Sequence, residues 1–117
     1  MSIRITNPAL LPPEHRGWIP EGVEWDTACL AYYEEVPCGI LTLLTDDEHC
    51  QVTFHFVDPD FRQLDIGELL LERAIQEARK KGAGAIRATI PTGDRIAKLT
   101  YESQGFKATA IVVDKTI

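Results

Sequence analysis

One stretch of this sequence decides how the chain is organised, and it reads Phe54-His-Phe-Val-Asp-Pro-Asp-Phe-Arg-Gln-Leu-Asp-Ile-Gly67. Phe54 to Val57 is typical of the end of a strand, which Pro59 terminates because proline has no backbone N–H to donate. We expect a short loop next, followed by a helix that runs to about Lys81. The first turn of a helix has backbone N–H groups without internal partners, and the helix dipole adds partial positive charge there. The stretch therefore predicts an anion-binding site.

The helix after this loop is defined by its boundary residues and by its apolar spacing. Asp65 followed by Glu68 is a capping-box pattern at the start, and Gly82 fits the position just past the end. Apolar residues recur at helical spacing along one face, and they are Leu70, Leu71, Ala74, Ile75 and Ala78. We therefore predict a helix over Ile66 to Lys81 that packs this face against the rest of the domain.

The segments before the loop predict antiparallel strands. Thr27 to Glu34, Gly39 to Thr45 and Cys50 to Val57 are rich in β-forming residues, and their short connections require antiparallel neighbours. Ser2 to Thr6 is a further short strand. Four prolines interrupt Asn7 to Asp26, so this segment is expected to be irregular and to contain no long helix.

The segments after the helix complete a mixed sheet. Ala85 to Ile90 is expected to run parallel to Cys50–Val57, because a strand–helix–strand unit returns by a right-handed crossover. Asp94 is expected to cap a second helix that runs to about Gln104, and Phe106 to Val113 is expected to be the last strand. The predicted fold is an α/β (α+β) domain with a mixed, mostly antiparallel sheet, two main helices and a central parallel strand pair. It forms a single domain over residues 1–117, in which residues 1–26 are an irregular Pro-rich segment.

Charge is unevenly distributed along the chain. Arg62 to Lys98 contains eight Lys/Arg and five Asp/Glu, whereas the remainder contains four Lys/Arg and thirteen Asp/Glu, for a net charge of −6. The acidic remainder argues against a nucleic-acid partner and suits a cationic one. The three cysteines lack a Cys-x-x-Cys spacing, and the N-terminus lacks the apolar run of a signal peptide. We therefore expect reduced cysteines in a cytoplasmic protein without a membrane span or a metal site.

Two motifs on these elements carry a family resemblance. Val57-Asp-Pro-Asp-Phe-Arg-Gln-Leu-Asp-Ile-Gly67 is similar to a Val-x-Pro-x-Tyr/Phe-Arg-x-x-Gly-x-Gly loop. Asp94-Arg-Ile-Ala-Lys-Leu-Thr-Tyr-Glu-Ser-Gln-Gly-Phe106 is similar to Asn-x-x-Ala-x-x-x-Tyr-Glu-x-x-Gly-Phe. Both patterns belong to the GNAT superfamily of acyl-CoA-dependent N-acyltransferases. The chain resembles this family over about Thr27 to Ile111, as a short member that lacks the usual helices after the first strand.

The resemblance implies that acetyl-CoA binds between the two parallel strands. The backbone of Phe56 and Val57 would bond the pantetheine arm, and the following loop would hold the pyrophosphate. The implied donor-binding residues in that loop and in the second helix are Arg62, Gln63, Leu64, Asp65, Ile66, Gly67, Asp94, Ala97 and Lys98. Asp65 replaces a family glycine, where its carboxylate would either repel the pyrophosphate or swing outward and leave the loop free to bind, and Asp94 replaces an asparagine.

Two side chains are candidates for the chemistry of acetyl transfer. Tyr101 matches a family tyrosine near the departing sulfur, and a phenol can protonate a thiolate as its charge develops. His55 is the candidate base, because its pKa is ordinarily near neutrality and strict alternation gives it the parity of Gln51, where some relatives have glutamate. The same alternation predicts that Val52, Phe54 and Phe56 share the opposite face.

Two functions remain open from the sequence. The first is an N-acetyltransferase that moves acetyl from acetyl-CoA to a primary amine on a small molecule or protein, by direct attack in a ternary complex. The second is a catalytically inactive GNAT-fold module for CoA binding or protein interaction, for which Asp65 and Asp94 argue. A homodimer through the last strand is expected in either case, because an exposed sheet edge is otherwise a liability.

Overall fold

The computed structural model describes residues 2–46 and 48–117, which form one sheet flanked by helices. The strands are β1 (Ile3–Thr6), β2 (Thr27–Tyr33), β3 (Val36–Thr45), β4 (His49–Val57) and β5 (Ala85–Arg87). The helices are α1 (Pro13–Arg16), α2 (Ile66–Lys80) and α3 (Arg95–Ser103), and a 3₁₀ segment covers Pro59–Leu64. The sheet order follows the chain order, β1-β2-β3-β4-β5.

The strand pairings confirm the predicted fold class. β1 to β4 are antiparallel neighbours, and β5 returns parallel to β4 after α2. The parallel pair lies at the edge of the sheet and not at its centre, since no further strand of the described chain pairs with β5. The expected last strand, Phe106 to Val113, is wrong because these residues are irregular and mostly exposed. A strand requires a partner, and this segment pairs with none of the described strands.

A β-bulge changes which side chains of β4 face the helices. The register between β3 and β4 shifts so that Thr53 is an extra residue in β4. Val52 consequently packs in the main core, whereas Phe54 and Phe56 pack in a second cluster on the other side of the sheet. His55 bonds to α2 and α3. The predicted common face for Val52, Phe54 and Phe56 is therefore wrong, because alternation breaks at the bulge.

The main core lies between the sheet and α2. The buried side chains of α2 are Ile66, Leu70, Leu71, Ala74 and Ala78. Four of the five residues predicted for the inner face are thus buried, and the fifth, Ile75, is partly buried and packs against the core. α2 ends as predicted, because Gly82 adopts a left-handed φ of 78° and donates its N–H to the carbonyl of Arg79. The predicted length of this helix is confirmed to within one residue.

The irregular N-terminal segment covers the opposite face of the sheet. It contains only the single-turn helix α1, consistent with its prolines. His15 of α1 is fully buried, and its ring packs edge-on to Trp18 and Tyr32. Trp18 in turn contacts Phe56 on β4. These aromatic contacts cover the second cluster on this side of the sheet. Across residues 2–46 and 48–117, no helix combines the length and apolar character needed to cross a membrane.

Candidate functional site

The two parallel strands separate at their carboxyl ends. β4 and β5 pair only from His49 with Ala85 to Gln51 with Arg87. β4 continues to Val57, whereas β5 ends at Arg87, three residues before its predicted end at Ile90. The second half of β4 therefore has an edge that no described strand covers, and ligands of open α/β sheets bind beyond such strand ends.

The chain from β4 into α2 is held compactly by local hydrogen bonds. The carboxylate of Asp58 accepts the N–H of Asp60 at 2.9 Å, which starts a 3₁₀ segment where the sequence predicted a short loop. Nε of Arg62 donates to the carbonyl of Val57 at 3.0 Å. These bonds fold the loop back on the end of β4 and bring the first turn of α2 beside the open strand edge.

Asp65 turns the chain into α2 through its backbone and not through its side chain. Its φ of 57° and ψ of 24° lie in the left-handed region, and its carboxylate makes no cap hydrogen bond. The predicted capping box is therefore wrong, because a cap side chain reaches the first-turn amides only from an extended backbone. The left-handed conformation explains why glycine suits this position. It also leaves the carboxylate exposed and off the amides at the start of α2.

His55 is bonded at both ring nitrogens to residues from two other elements. Its Nδ1 lies 2.8 Å from Oη of Tyr101 on α3, and its Nε2 lies 3.1 Å from the carbonyl oxygen of Gly67 in the first turn of α2. The structure thus joins β4, α2 and α3 through one imidazole. Sequence reasoning named His55 and Tyr101 separately, but it did not predict their contact.

Burial shifts both ionisable groups toward their neutral forms. Burial lowers the pKa of His55 to about 4, and the bond to the Gly67 carbonyl opposes this shift only in part. Burial also raises the pKa of the Tyr101 phenol well above its ordinary value of about 10. At neutral pH the pair therefore consists of a neutral imidazole and a protonated phenol.

The other predicted site residues fall into three groups. The side chain of Phe56 packs on the far face of the sheet and that of Ile66 is buried in the core, so only their backbones can contact a ligand. Arg62, Gln63 and Asp65 lie on the loop with largely accessible side chains, whereas Leu64, Val57 and Gly67 are partly buried. The remaining three, Asp94, Ala97 and Lys98, lie at the start of α3.

The start of α3 has the predicted cap. Oδ1 of Asp94 accepts the N–H of Ala97 at 3.0 Å. Ala97 and Tyr101 are one turn apart, so they lie on the same face of α3. Gln51, by contrast, is exposed between the buried residues Cys50 and Val52, and the bulge gives it a different face from His55. The expected equivalence of Gln51 and His55 is therefore wrong.

The chain belongs to the GNAT acetyltransferases. It matches the family described as "Acetyltransferase (GNAT) family" over residues 3–106, which is most of its length. It is 29% identical over 75 residues to an uncharacterized N-acetyltransferase of Methanocaldococcus jannaschii, and the match covers 64% of this chain. The chain spans a third of that curated relative, with 33% of its length matched.

Solved structures of acetyltransferases share this fold. AAC(6')-Iy in complex with a bisubstrate analogue, CoA-S-monomethyl-acetylneamine, superposes with a TM-score of 0.78 at 16% identity, covering 100% of this chain and 99% of its own. Glucosamine-6-phosphate N-acetyltransferase from Arabidopsis thaliana gives 0.75 at 12% identity, covering 99% of both chains. A putative acetyl transferase from Pyrococcus furiosus gives 0.67 at 26% identity, covering 78% of this chain and 65% of its own.

Proposed function

We propose that this protein is an N-acetyltransferase that transfers acetyl from acetyl-CoA to a primary amine, by direct attack in a ternary complex. The observation that carries the proposal is the opening between β4 and β5, which has the first turn of α2 on one side and Tyr101 beside it. Membership of the GNAT family supports the same reaction class.

The donor would bind along the open edge of β4 and at the start of α2. Backbone groups near Phe56 and Val57 pair with no described strand on the β5 side, so an extended pantetheine arm can add there as a strand does. The amides from Arg62 to Gly67 would hold the pyrophosphate, since the carboxylate of Asp65 makes no cap bond with them. Asp94, Ala97 and Lys98 would line the thioester end of the same site.

In the proposed reaction, Tyr101 passes a proton from the attacking amine to the departing sulfur. An ammonium first loses a proton to solvent, and the free amine attacks the thioester carbon to give a tetrahedral intermediate. The N–H of Val57 would stabilise its oxyanion. The C–S bond then breaks, Tyr101 gives its proton to the thiolate, and the amine nitrogen returns a proton to Tyr101. The products are an N-acetyl amine and free CoA.

The charge of the chain supports a cationic acceptor. The segment from Arg62 to Lys98, which contains the proposed donor site, carries three more Lys/Arg than Asp/Glu. The rest of the sequence carries nine more Asp/Glu than Lys/Arg. A negative field favours approach of an ammonium-bearing small molecule or protein, and the positive segment suits the phosphates of CoA. We propose that the acceptor is such a cation.

A second candidate function is a CoA-binding or protein-interaction module without turnover. Two observations favour it: a carboxylate stands at the pyrophosphate loop at Asp65, and the hydroxyl of Tyr101 already bonds to His55. Both an enzyme and a CoA-binding module should bind CoA. Only the enzyme should release free thiol from acetyl-CoA when an amine is present.

The experiment combines binding and turnover. Thermal unfolding with acetyl-CoA at about one hundred times its dissociation constant should raise the free energy of unfolding by about 2.7 kcal/mol. A thiol-release assay against polyamines, amino sugars and lysine peptides then tests transfer. A stabilised protein without thiol release supports the inactive module, and a protein that millimolar acetyl-CoA does not stabilise contradicts both CoA-dependent functions.

We also propose a homodimer, which is supported by the apolar surface after α3. Ile111, Val112 and Val113 are each at least 80% exposed, and β5 has an edge that no described strand covers. A second copy that adds these residues to its sheet would bury both features. Analytical ultracentrifugation of the wild type and of Val112→Lys tests this proposal. The wild type should sediment as a dimer and the variant as a monomer. A wild type that sediments as a monomer, like the variant, would contradict the homodimer.

A further inference from the structure

We propose that His55 is a positioning residue, held in the Nε2–H tautomer, that orients the hydroxyl of Tyr101 and ties it to the backbone of Gly67. This inference rests on the proposed function for its catalytic consequence. The tautomer itself is a property of the folded chain that can be measured without any substrate.

The tautomer follows from what each partner can donate. A backbone carbonyl only accepts hydrogen bonds, so the atom that faces the Gly67 oxygen at 3.1 Å must carry the proton, and that atom is Nε2. A neutral imidazole has one N–H, so Nδ1 carries the lone pair. Tyr101 lies 2.8 Å from Nδ1, and its hydroxyl must therefore be the donor in that bond.

The surroundings of Tyr101 leave its hydroxyl little choice of orientation. The residue is 5% exposed, and its ring packs edge-on against Phe106 at 5.1 Å between centroids. Phe106 is itself tied to the helix end, because its N–H donates to the carbonyl of Tyr101. Among the described residues, the hydroxyl of Tyr101 has one hydrogen-bond partner, Nδ1 of His55.

This arrangement separates positioning from general base catalysis. A base accepts a proton on a free lone pair, and the lone pair of His55 is already bonded to Tyr101. His55 therefore acts through Tyr101: it holds the phenol oxygen in place, and the phenol proton turns from Nδ1 to sulfur when the C–S bond breaks. Because Gly67 lies in the first turn of α2, the same imidazole couples the placement of Tyr101 to the proposed pyrophosphate site.

The first test reads the tautomer directly. In protein labelled with ¹⁵N at histidine, we expect the His55 resonances of a protonated Nε2 and an unprotonated Nδ1, without titration from pH 8 to pH 5. In Tyr101→Phe only the Nδ1 resonance should move substantially, because its donor is lost. A protonated Nδ1, or a ring that titrates near its ordinary value of about 6.5, overturns the proposal.

The second test uses a matched pair of variants. His55→Gln retains one acceptor and one donor but cannot take up a proton, whereas His55→Leu has neither. We expect kcat within about tenfold of wild type for His55→Gln and a loss of about a hundredfold for His55→Leu, with KM for acetyl-CoA changing far less than kcat in both.

Equal large losses in two variants that still fold and bind acetyl-CoA would overturn the positioning role, since proton uptake would then be the lost property. Absence of turnover in the wild type would contradict the proposed function alone. The histidine resonances would still decide the tautomer in that case.

Discussion

Gly39 on β3 lies directly against Leu70 on α2, so closely that a Cβ at position 39 would be 3.0 Å from Cδ1 of Leu70. The same Cβ would lie 3.2 Å from Cγ2 of Ile66 and 3.2 Å from the carbonyl oxygen of Phe56. The absence of a side chain at this one position lets α2 approach the sheet, and α2 carries the first turn in which the donor site is proposed.

Gly39→Ala should therefore destabilise the fold by about 1–3 kcal/mol, because the added methyl displaces packed side chains and meets a backbone oxygen. Urea unfolding of the two proteins measures the difference. Gly17→Ala is the matched control: Gly17 has a φ of −68°, and a methyl added there would meet no atom within 4 Å, so stability should change by less than about 0.5 kcal/mol. Equal effects of the two substitutions would contradict the close approach.

Neutralising Asp65 should strengthen CoA binding. Asp65→Asn removes the charge and retains a residue type that tolerates the left-handed backbone, and Asp65→Gly removes both charge and strain. We expect the dissociation constant of CoA to fall about tenfold in each variant, from relief of like-charge repulsion, with a smaller gain at high salt. Calorimetric titration measures it. Tighter binding in Asp65→Gly alone would assign the effect to backbone conformation.

Tyr101→Phe should lower kcat by about a hundredfold or more while KM for acetyl-CoA changes little, because the hydroxyl acts only as the C–S bond breaks. The same substitution leaves Nδ1 of His55 without its donor, so the protein should also lose about 1–3 kcal/mol of stability. Steady-state kinetics and urea unfolding measure the two effects. An unchanged kcat in a folded variant would remove Tyr101 from the proposed mechanism.

Stability should decline as the pH falls from about 6.5 toward 4. Burial lowers the pKa of His55 to about 4 and also lowers the pKa of His15, where nearby Glu14 opposes the shift. Both histidines bind protons more readily in the unfolded chain, so their contribution is complete above pH 6.5 and is lost below it. For His55 the loss amounts to at most about 3 kcal/mol.

Urea unfolding at pH 7.5, 6 and 5 measures this dependence. His55→Gln should remove a large part of it, since the amide does not titrate and can still bond to Gly67 and Tyr101. His15→Phe should remove the remainder, because neither ring nitrogen of His15 has a hydrogen-bond partner among the described residues and an apolar ring loses none there. A wild-type protein equally stable at pH 7.5 and pH 5 would contradict the burial of both imidazoles.

Much of the fold was predictable because its determinants are local. The apolar spacing of α2, the glycine after its end and the cap at Asp94 all act within a few residues. The antiparallel order of β2 to β4 follows from connections too short for any other arrangement. The parallel return of β5 follows from the handedness of the crossover. The two motifs that indicated the family lie on these locally determined elements.

The tertiary structure alone decided the features on which the site depends. The bulge at Thr53 exists only in the register with β3, and it places Val52 on the face opposite to Phe54 and Phe56, where alternation predicted one shared face. Phe106 to Val113 forms no strand despite its β-forming residues, because a strand requires a partner and this segment pairs with none of the described strands. His55 and Tyr101 are 46 residues apart, and their bond forms only because α2 and α3 pack on the same side of β4.

The sequence by itself determined the two main helices, the first five strands, their order and the loop that begins α2, since backbone sterics and apolar periodicity act over short distances. Only the folded chain determined which nitrogen of His55 carries the proton, because that choice requires a carbonyl from one helix and a hydroxyl from another. Pair contacts of this kind depend on the geometry of three elements together, which no single stretch of sequence encodes.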